Sequence, residues 1–159
     1  QYTNGLSRMV DSDYAACLKT RKSTDGGVVM MENQCPKTWS PSQAVIALSS
    51  GEANFYGVVK GTSVLLGMLS VANDLNIPLR GELWTDSSAA IGIATRKGIG
   101  KVRHLHTQYL WVQEGLSAKG FTLHKVRGDK NMDDLLTKIL SEADLTNPVN
   151  AWLRGNGRC

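Results

Sequence analysis

The sequence predicts an α/β domain built on one mixed five-stranded sheet, three antiparallel strands followed by two parallel ones, with helices on both faces. Three strand-like segments follow one another closely near the start of the chain, which favours antiparallel pairing. Further along, strands alternate with segments of helical periodicity, which favours parallel pairing through right-handed crossovers. The 159 residues suffice for one compact domain with a buried core.

Short apolar runs between polar turns indicate the first three strands. The first opens on Ser7 in "SRMVDSDYAACL", and the second spans residues 27–32 after a polar turn. The third lies within "CPKTWSPSQAVIAL", where Pro36 and Pro41 favour strand ends or an edge strand. We expect these three strands to form an antiparallel meander.

Helical periodicity then begins at residue 52 and continues to about residue 73. Its apolar stripe consists of Phe55, Val58, Val59, Leu66 and Leu69. A strand over 81–86 precedes a short helix over about 88–96, and the basic connector "RKGIGKVRHLH" leads to a helix over about 105–119. The segment "FTLHKVRG" predicts the fifth strand and "NMDDLLTKIL" a final helix.

The chain is expected to form a single domain over residues 1–159, with a core at about 7–140 and a loosely attached tail at 141–159. It does not begin with methionine, which suggests a piece of a longer chain, and its first residues lack the pattern of a signal peptide. No apolar run approaches the roughly 18–20 residues that cross a bilayer, so we expect no membrane partner. The isolated domain is expected to be monomeric.

Charge and cysteine content limit the possible partners. The net charge of +4 permits nucleic-acid binding without establishing it. The cysteines, Cys17, Cys35 and Cys159, are odd in number and not spaced like zinc ligands. We interpret them as reduced thiols in an intracellular compartment.

Four acidic residues fall at comparable places in the predicted elements. Asp11 lies in the first strand, Glu52 opens the long helix, Asp86 ends the fourth strand and Asp134 lies in the first turn of the last helix. Ligands of open α/β sheets bind at the carboxyl ends of the parallel strands, so we expect these side chains to converge there. Carboxylate oxygens suit Mg²⁺ or Mn²⁺, and a pair of such ions supports phosphodiester cleavage.

Each acid taken alone also has a structural explanation, which is favoured over the functional one. Ser49 with Glu52 fits a capping box at a helix start. Asp134 complements the dipole of the last helix, and Asp86 could cap the helix that follows it. Asp11 could be a turn residue. Four acids at one sheet edge are harder to explain in this way.

Five motifs together resemble a known family over roughly residues 7–140: "VDSDYAACLKTRKST", "ALSSGEANFYGVV", "LWTDSSAAIGIA", "KVRHLHTQYLWVQE" and "NMDDLLTKIL". In order and spacing they resemble the ribonuclease H domain of copia-type LTR retrotransposon polyproteins. The resemblance implies a ribonuclease H-like fold and metal-dependent, endonucleolytic hydrolysis of the RNA strand of RNA–DNA hybrids. It also implies a reverse-transcriptase domain in the same polyprotein and an intracellular location, in the cytoplasm, a virus-like particle or the nucleus.

The resemblance assigns the metal ligands residue by residue. The first acid corresponds to Asp11, with Asp13 a weaker candidate, and the second and third to Glu52 and Asp86. The family's D-x-x-T-K fits "DLLTK", so the fourth is Asp134. These catalytic residues would hold two divalent ions, Mg²⁺ or Mn²⁺. Cellular and retroviral ribonucleases H often carry a histidine in the loop before the fourth acid, and "VRGDKNMDD" has none.

Six further residues are candidates for contact with nucleic acid. Hydroxyl groups beside the acids could bond ribose 2′-hydroxyls, which distinguish RNA from DNA, although helix capping explains them equally well. Basic side chains of the glycine-containing connector could bind DNA phosphates, or could form a solvated loop. The candidates are Ser49, Ser50, Ser87, Lys97, Lys101 and Arg103.

Two other functions remain open at this point. A non-catalytic nucleic-acid-binding or tethering domain would keep the fold and lose an acid, but all four acids are present. Another nuclease of the same fold, integrase-like or a junction resolvase, would prefer duplex DNA, and fold alone does not decide between them.

Overall fold

In a computed structural model, the residues described are 5–32, 34–96, 106–118 and 120–127. They form, in chain order, β1 (Gly5–Asp13), β2 (Thr24–Met31), β3 (Gln34–Trp39), α1 (Ser50–Asp74), β4 (Arg80–Thr85), α2 (Ser88–Thr95), α3 (His106–Ser117) and β5 (Thr122–Lys125). This order is the one that the sequence predicts as far as the fifth strand.

The strands form one five-stranded sheet in the order β3-β2-β1-β4-β5. Strand β1 pairs antiparallel with β2, and β2 pairs antiparallel with β3. On its other side β1 pairs parallel with β4, which pairs parallel with β5. The predicted mixed sheet, with three antiparallel strands and then two parallel ones, is confirmed, and β1 lies at its centre.

The bounds of the first three strands differ from the sequence prediction, and β2 begins at Thr24 instead of residue 27. Strand β1 begins at Gly5, earlier than predicted, and ends at Asp13. Ala15, shortly after, has φ 53°, a left-handed conformation that cannot continue a strand. Strand β3 ends at Trp39, so the following apolar segment up to Ser49 is a loop. Pro36 lies inside β3, which is tolerated because β3 is an edge strand.

The described helices pack together beside the sheet. Helix α1 packs on β1, β2 and β4, and both α2 and α3 contact α1. Phe55 and Val58 of the predicted stripe are fully buried, whereas Val59, Leu66 and Leu69 are partly buried against the same core. The predicted final helix and the tail 141–159 lie outside the described residues, so helices on both faces remain a prediction.

Helix α1 approaches the sheet closely at Gly61. A Cβ atom there would lie 2.9 Å from Val10 Cγ1 and 3.0 Å from Leu83 Cδ1. Both neighbours belong to the fully buried core. The glycine therefore allows the helix axis to lie nearer to β1 and β4 than a larger residue would permit.

The expectation that no segment is long and apolar enough to cross a membrane is wrong for α1. This helix has 25 residues, and an 18-residue window in it has a mean hydropathy of 1.4. Valine and leucine side chains raise this mean, but Gly, Ser and Thr residues and Lys60 interrupt them, so no continuous apolar run forms. Here it packs as a core helix, with Ala53, Phe55, Val58 and Leu65 buried.

A buried arginine connects the central strand to the edge of the sheet. Arg8 is fully buried, and its guanidinium carbon lies 3.8 Å from the ring centroid of Trp39. Its Nη1 also donates a hydrogen bond to Gly61 O on α1. Trp39 pairs with Gly27 of β2, and its indole covers the place where a Cβ of Gly27 would be. Arginine, indole and glycine thus fit together as one unit.

Candidate active site

Asp11, near the end of β1, and Asp86, the residue after β4, lie at the same end of two adjacent parallel strands. The β1–β4 ladder pairs Gly5 with Arg80 and Met9 with Trp84, so the same register continued by two residues brings Asp11 opposite Asp86. Neighbouring strands are about 4.8 Å apart. Asp11 lies near the carboxyl end of β1 and Asp86 directly follows β4. The register therefore brings these two predicted site residues together.

The environment of the two carboxylates differs. Burial alternates along β1 as far as Val10, and then Val10, Asp11 and Ser12 are all buried. Successive strand residues face opposite sides, so both faces of β1 are covered at Asp11, which is 6% exposed. Asp86 lies in the bend between β4 and α2 and is only half-buried. A ligand would reach the pair from the side of Asp86.

Helix α1 runs antiparallel to β1 and β4 and brings Glu52 to the same end of the sheet. A Cβ at Gly57 would lie 3.6 Å from Asp11 O, whereas Gly81, near the start of β4, lies against Leu69 at the far end of α1. Glu52 precedes Gly57 by five residues, about 7.5 Å along the axis. At the helix start, a Cβ on Gly51 would lie 2.9 Å from Ala89 Cβ, three residues after Asp86.

The carboxylate of Glu52 is buried, at 3% exposure, in the first turn of α1. Its Oε2 accepts a hydrogen bond from Leu48 N at 3.2 Å, and its own N–H donates to Ser49 Oγ at 3.2 Å. The predicted capping by Ser49 is confirmed, but the carboxylate reaches back to Leu48 instead of to Ser49. Burial and Glu52 together raise the pKa of Tyr56 to about 12.

Replacing Ser49 with alanine is expected to lower the free energy of unfolding by about 1 kcal/mol, because the N–H of Glu52 loses its acceptor. Urea denaturation of the two proteins measures the difference. Ser50→Ala is the matched control, since the exposed Ser50 follows the cap and no capping bond is removed. Equal losses in both variants would contradict the capping role.

Helix α2 is capped by Ser87, whose Oγ accepts from Ala90 N at 3.2 Å. Ser87, and not Asp86, is therefore the N-cap of α2, and Asp86 lies just before the cap. Ser49 and Ser87 both act as caps, and Ser50 is exposed at the start of α1. Contacts of these three serines with nucleic acid remain predictions.

The remaining predicted site residues, Asp134, Lys97, Lys101 and Arg103, lie outside the described residues. Within residues 5–32, 34–96, 106–118 and 120–127, no three Asp, Glu, His or Cys side chains lie close enough to hold a metal ion. The carboxylates of Asp11, Glu52 and Asp86 at one end of the sheet are nevertheless the kind of oxygen ligand that Mg²⁺ and Mn²⁺ prefer. A metal centre there remains a prediction.

Sequence reasoning missed a buried polar network beside Asp11. It consists of Ser12, Asp25 and Gln43, which are 6%, 7% and 5% exposed. Gln43 Nε2 donates to Asp25 Oδ1 at 2.6 Å and to Ser12 Oγ at 3.1 Å. Gln43 lies in a segment interpreted as strand, and Asp25 lies just before the predicted second strand, so neither pattern indicated burial.

Burial raises the pKa of Asp25 to about 6, against the lowering effect of its hydrogen bonds with Gln43 and Ser12. The folded protein therefore binds this proton more tightly than the unfolded chain. The stabilisation that this bound proton provides is complete below about pH 4 and is lost as the pH rises through about 6. The free energy of unfolding falls by about 3 kcal/mol over this range. Asp25→Asn should gain stability relative to the parent as the pH rises from about 4 to about 7, as measured by urea denaturation. Exposed Asp74→Asn should show no such trend.

Comparison of the sequence with known proteins finds a retrotransposon relative. The Retrovirus-related Pol polyprotein from transposon TNT 1-94 of Nicotiana tabacum is 22% identical over 137 residues, which cover 85% of this chain and 10% of that polyprotein. The chain thus spans about a tenth of the length of the curated relative that it matches. No family model matches the chain.

Several solved structures similar to this chain are of ribonucleases H. LC11-RNase H1, isolated from compost by a metagenomic approach, has a TM-score of 0.64 at 14% identity, covering 84% of this chain and 93% of that one. In complex with RNA/DNA hybrid the same enzyme gives a TM-score of 0.58 at 14% identity, with 83% and 93% covered.

A third structure, RNase H1 from the halophilic archaeon Halobacterium salinarum NRC-1, has a TM-score of 0.56 at 16% identity, with 84% and 94% covered. At these identities the similarity establishes the fold. The chain therefore has the ribonuclease H fold, and its sequence is similar to a retrotransposon Pol polyprotein, which confirms the resemblance that its motifs indicate.

Proposed function

We propose that the protein is a metal-dependent endonuclease that hydrolyses the RNA strand of RNA–DNA hybrids. The observation that carries this proposal is the register of β1 and β4, which brings Asp11 level with Asp86 at the carboxyl ends of two parallel strands. Glu52 lies at the same end because α1 runs antiparallel to both strands. A ribonuclease H fold with acids in this arrangement, and a structural relative that binds RNA/DNA hybrid, support it.

Asp11, Glu52, Asp86 and Asp134 would hold two divalent ions, Mg²⁺ or Mn²⁺. Bound ions of this kind polarise water and neutralise the charge that develops on the phosphate during hydrolysis. Asp11 and Asp86 lie at the same end of the β1–β4 pair, so their carboxylates would share the metal-binding side of the site. Cleavage would leave 3′-hydroxyl and 5′-phosphate ends, with no protein side chain as nucleophile.

A relative that matches in sequence is a Pol polyprotein, which supports a polyprotein context for the proposed activity. We therefore propose that the domain works beside a reverse-transcriptase domain of the same polyprotein, inside the cell and without a membrane partner. The isolated domain would be a monomer. Ser49, Ser50 and Ser87 would contact the RNA strand beside the acids, and Lys97, Lys101 and Arg103 would contact phosphates of the DNA strand.

A cleavage assay tests the proposal on a hybrid that carries a label on the RNA strand. The protein is incubated with Mg²⁺, Mn²⁺, Ca²⁺ or EDTA, and products are separated on a denaturing gel. We expect internal cleavage of RNA with Mg²⁺ or Mn²⁺ and none with EDTA. Binding of the hybrid without cleavage in any metal would favour a tethering domain instead. Preferential cleavage of a duplex DNA of the same sequence would favour an integrase-like enzyme or a resolvase.

A further inference from the structure

Gln43 is held rigidly although it lies in the loop between β3 and α1. Its backbone N–H donates to Ser23 O at 2.7 Å. Two residues earlier, Pro41 O accepts from Asp25 N at 2.9 Å, and Thr24 forms a bridge with Ser42. This part of the loop is therefore attached to the start of β2, and the buried side chain of Gln43 points inward from a fixed base.

The side-chain amide of Gln43 spans three parts of the fold. Besides Ser12 on β1 and Asp25 on β2, its Nε2 lies 2.9 Å from Ala53 O in the first turn of α1, so the two protons of the NH₂ are shared among three acceptors. A backbone carbonyl oxygen only accepts hydrogen bonds, so the group that faces Ala53 must be the NH₂ of the amide. The contact with Ala53 thus fixes the orientation of the amide.

Two of these contacts adjoin the predicted metal ligands. Ser12 directly follows Asp11, and Ala53 directly follows Glu52. We propose that Gln43 is a positioning residue, which fixes the separation between the β1 segment that carries Asp11 and the α1 turn that carries Glu52. This inference rests on the proposed function, because it concerns the same pair of carboxylates.

Helix α1 has no side chain at Gly57, the position where it passes the backbone of Asp11. A Cβ on Gly57 would meet Asp11 O and Asp25 Oδ1 at 3.6 Å each, an ordinary van der Waals separation. Gly57 itself has no side chain, so it makes no side-chain contact that would fix α1 along β1 at this level. Hydrogen bonds from a single amide to both elements are directional, so they set the position of the helix start relative to the strand.

The test compares Gln43→Met with the unchanged protein. Methionine has a similar size but no donor, so packing is kept and the connection to Ser12, Asp25 and Ala53 is lost. Gln113→Met is the matched control, since the amide of Gln113 in α3 donates to Arg96 O at the end of α2. Mn²⁺ affinity is measured by calorimetry without nucleic acid, and kcat and KM are measured on labelled hybrid.

We expect Gln43→Met to weaken Mn²⁺ binding and to lower kcat by about 10- to 100-fold. KM for the hybrid should stay within about twofold, since the brace does not touch nucleic acid, and Gln113→Met should change none of the three values. Ser12→Ala removes one contact without leaving a buried group unbonded on α1. If Gln43→Met does not fold, Ser12→Ala takes its place in the test. We expect Ser12→Ala to weaken Mn²⁺ binding by a smaller factor than Gln43→Met.

Unchanged Mn²⁺ affinity and kcat in a folded Gln43→Met protein would overturn the positioning role while the proposed function stands. The same holds if Gln113→Met reproduces the loss, because the effect would then be one of general stability. If the protein without any substitution neither binds Mn²⁺ nor cleaves hybrid, both the positioning role of Gln43 and the proposed function are overturned.

Discussion

Replacing Asp86 with asparagine is expected to lower the rate of RNA cleavage by at least about a thousandfold, with little change in the affinity for hybrid. Asparagine keeps the shape of the side chain but replaces a charged oxygen with an NH₂ group, which cannot bind a metal ion. The fold should tolerate the change, because Asp86 is half-exposed and Ser87 caps α2. Single-turnover rates at saturating hybrid in Mg²⁺ measure the loss, and a filter-binding titration in Ca²⁺ measures affinity.

Asp74→Asn is the matched control for this prediction. Asp74 is the last residue of α1, exposed and at the opposite end of the helix from Glu52, and its replacement removes the same charge. The control should cleave at the parent rate. Retention of full activity by Asp86→Asn would remove Asp86 from the site, and loss of hybrid binding alone would make it a binding residue.

Replacing Gly27 with alanine is expected to lower the free energy of unfolding by about 3 kcal/mol or more. The added methyl group would overlap the benzenoid ring of Trp39, so the indole must leave its place. The guanidinium of Arg8 then loses the ring 3.8 Å from it, in a position that is fully buried. Overpacking and loss of the cation–π contact therefore add. Thermal and urea denaturation measure the effect.

Gly67→Ala provides the contrast within the same protein. No atom lies within 4 Å of a Cβ at Gly67, which is exposed in the middle of α1. Because alanine has the higher helix propensity, this variant should gain about 0.5–1 kcal/mol. A Gly27→Ala protein as stable as the parent would show that Trp39 can move aside without cost, and the arginine–indole–glycine unit would then have no role in stability.

The architecture was predictable because it depends on repeating patterns. Apolar spacing along α1 has the helical period, and the alternation of strands and helices after it indicates parallel pairing. These rules predict the mixed sheet without any knowledge of contacts, whereas the place of β1 between β2 and β4 comes from the structure. The ends of β1 and β3 were less predictable, because they depend on the backbone conformation at Ala15 and on where the edge strand leaves β2.

The site was predictable only in part. Ser49 as a cap and Glu52 in the first helical turn follow from local sequence spacing. Alignment of Asp11 with Asp86 depends on strand register, which a pattern indicates only roughly. The bonds from Gln43 to Ala53 and Asp25 join residues far apart in the chain through an irregular loop, and no periodicity describes such a contact.

The central place of β1 also has a consequence for folding. Its parallel partner β4 arrives only after α1, so this pairing joins segments far apart in the sequence. Non-local parallel pairing of this kind is slow. During synthesis the edge of β1 that pairs with β4 therefore stays unpaired until β4 has been made. A fragment ending before β4 would expose that side as a template for aggregation, so nascent chains interrupted within α1 should precipitate more readily than chains that extend past β5.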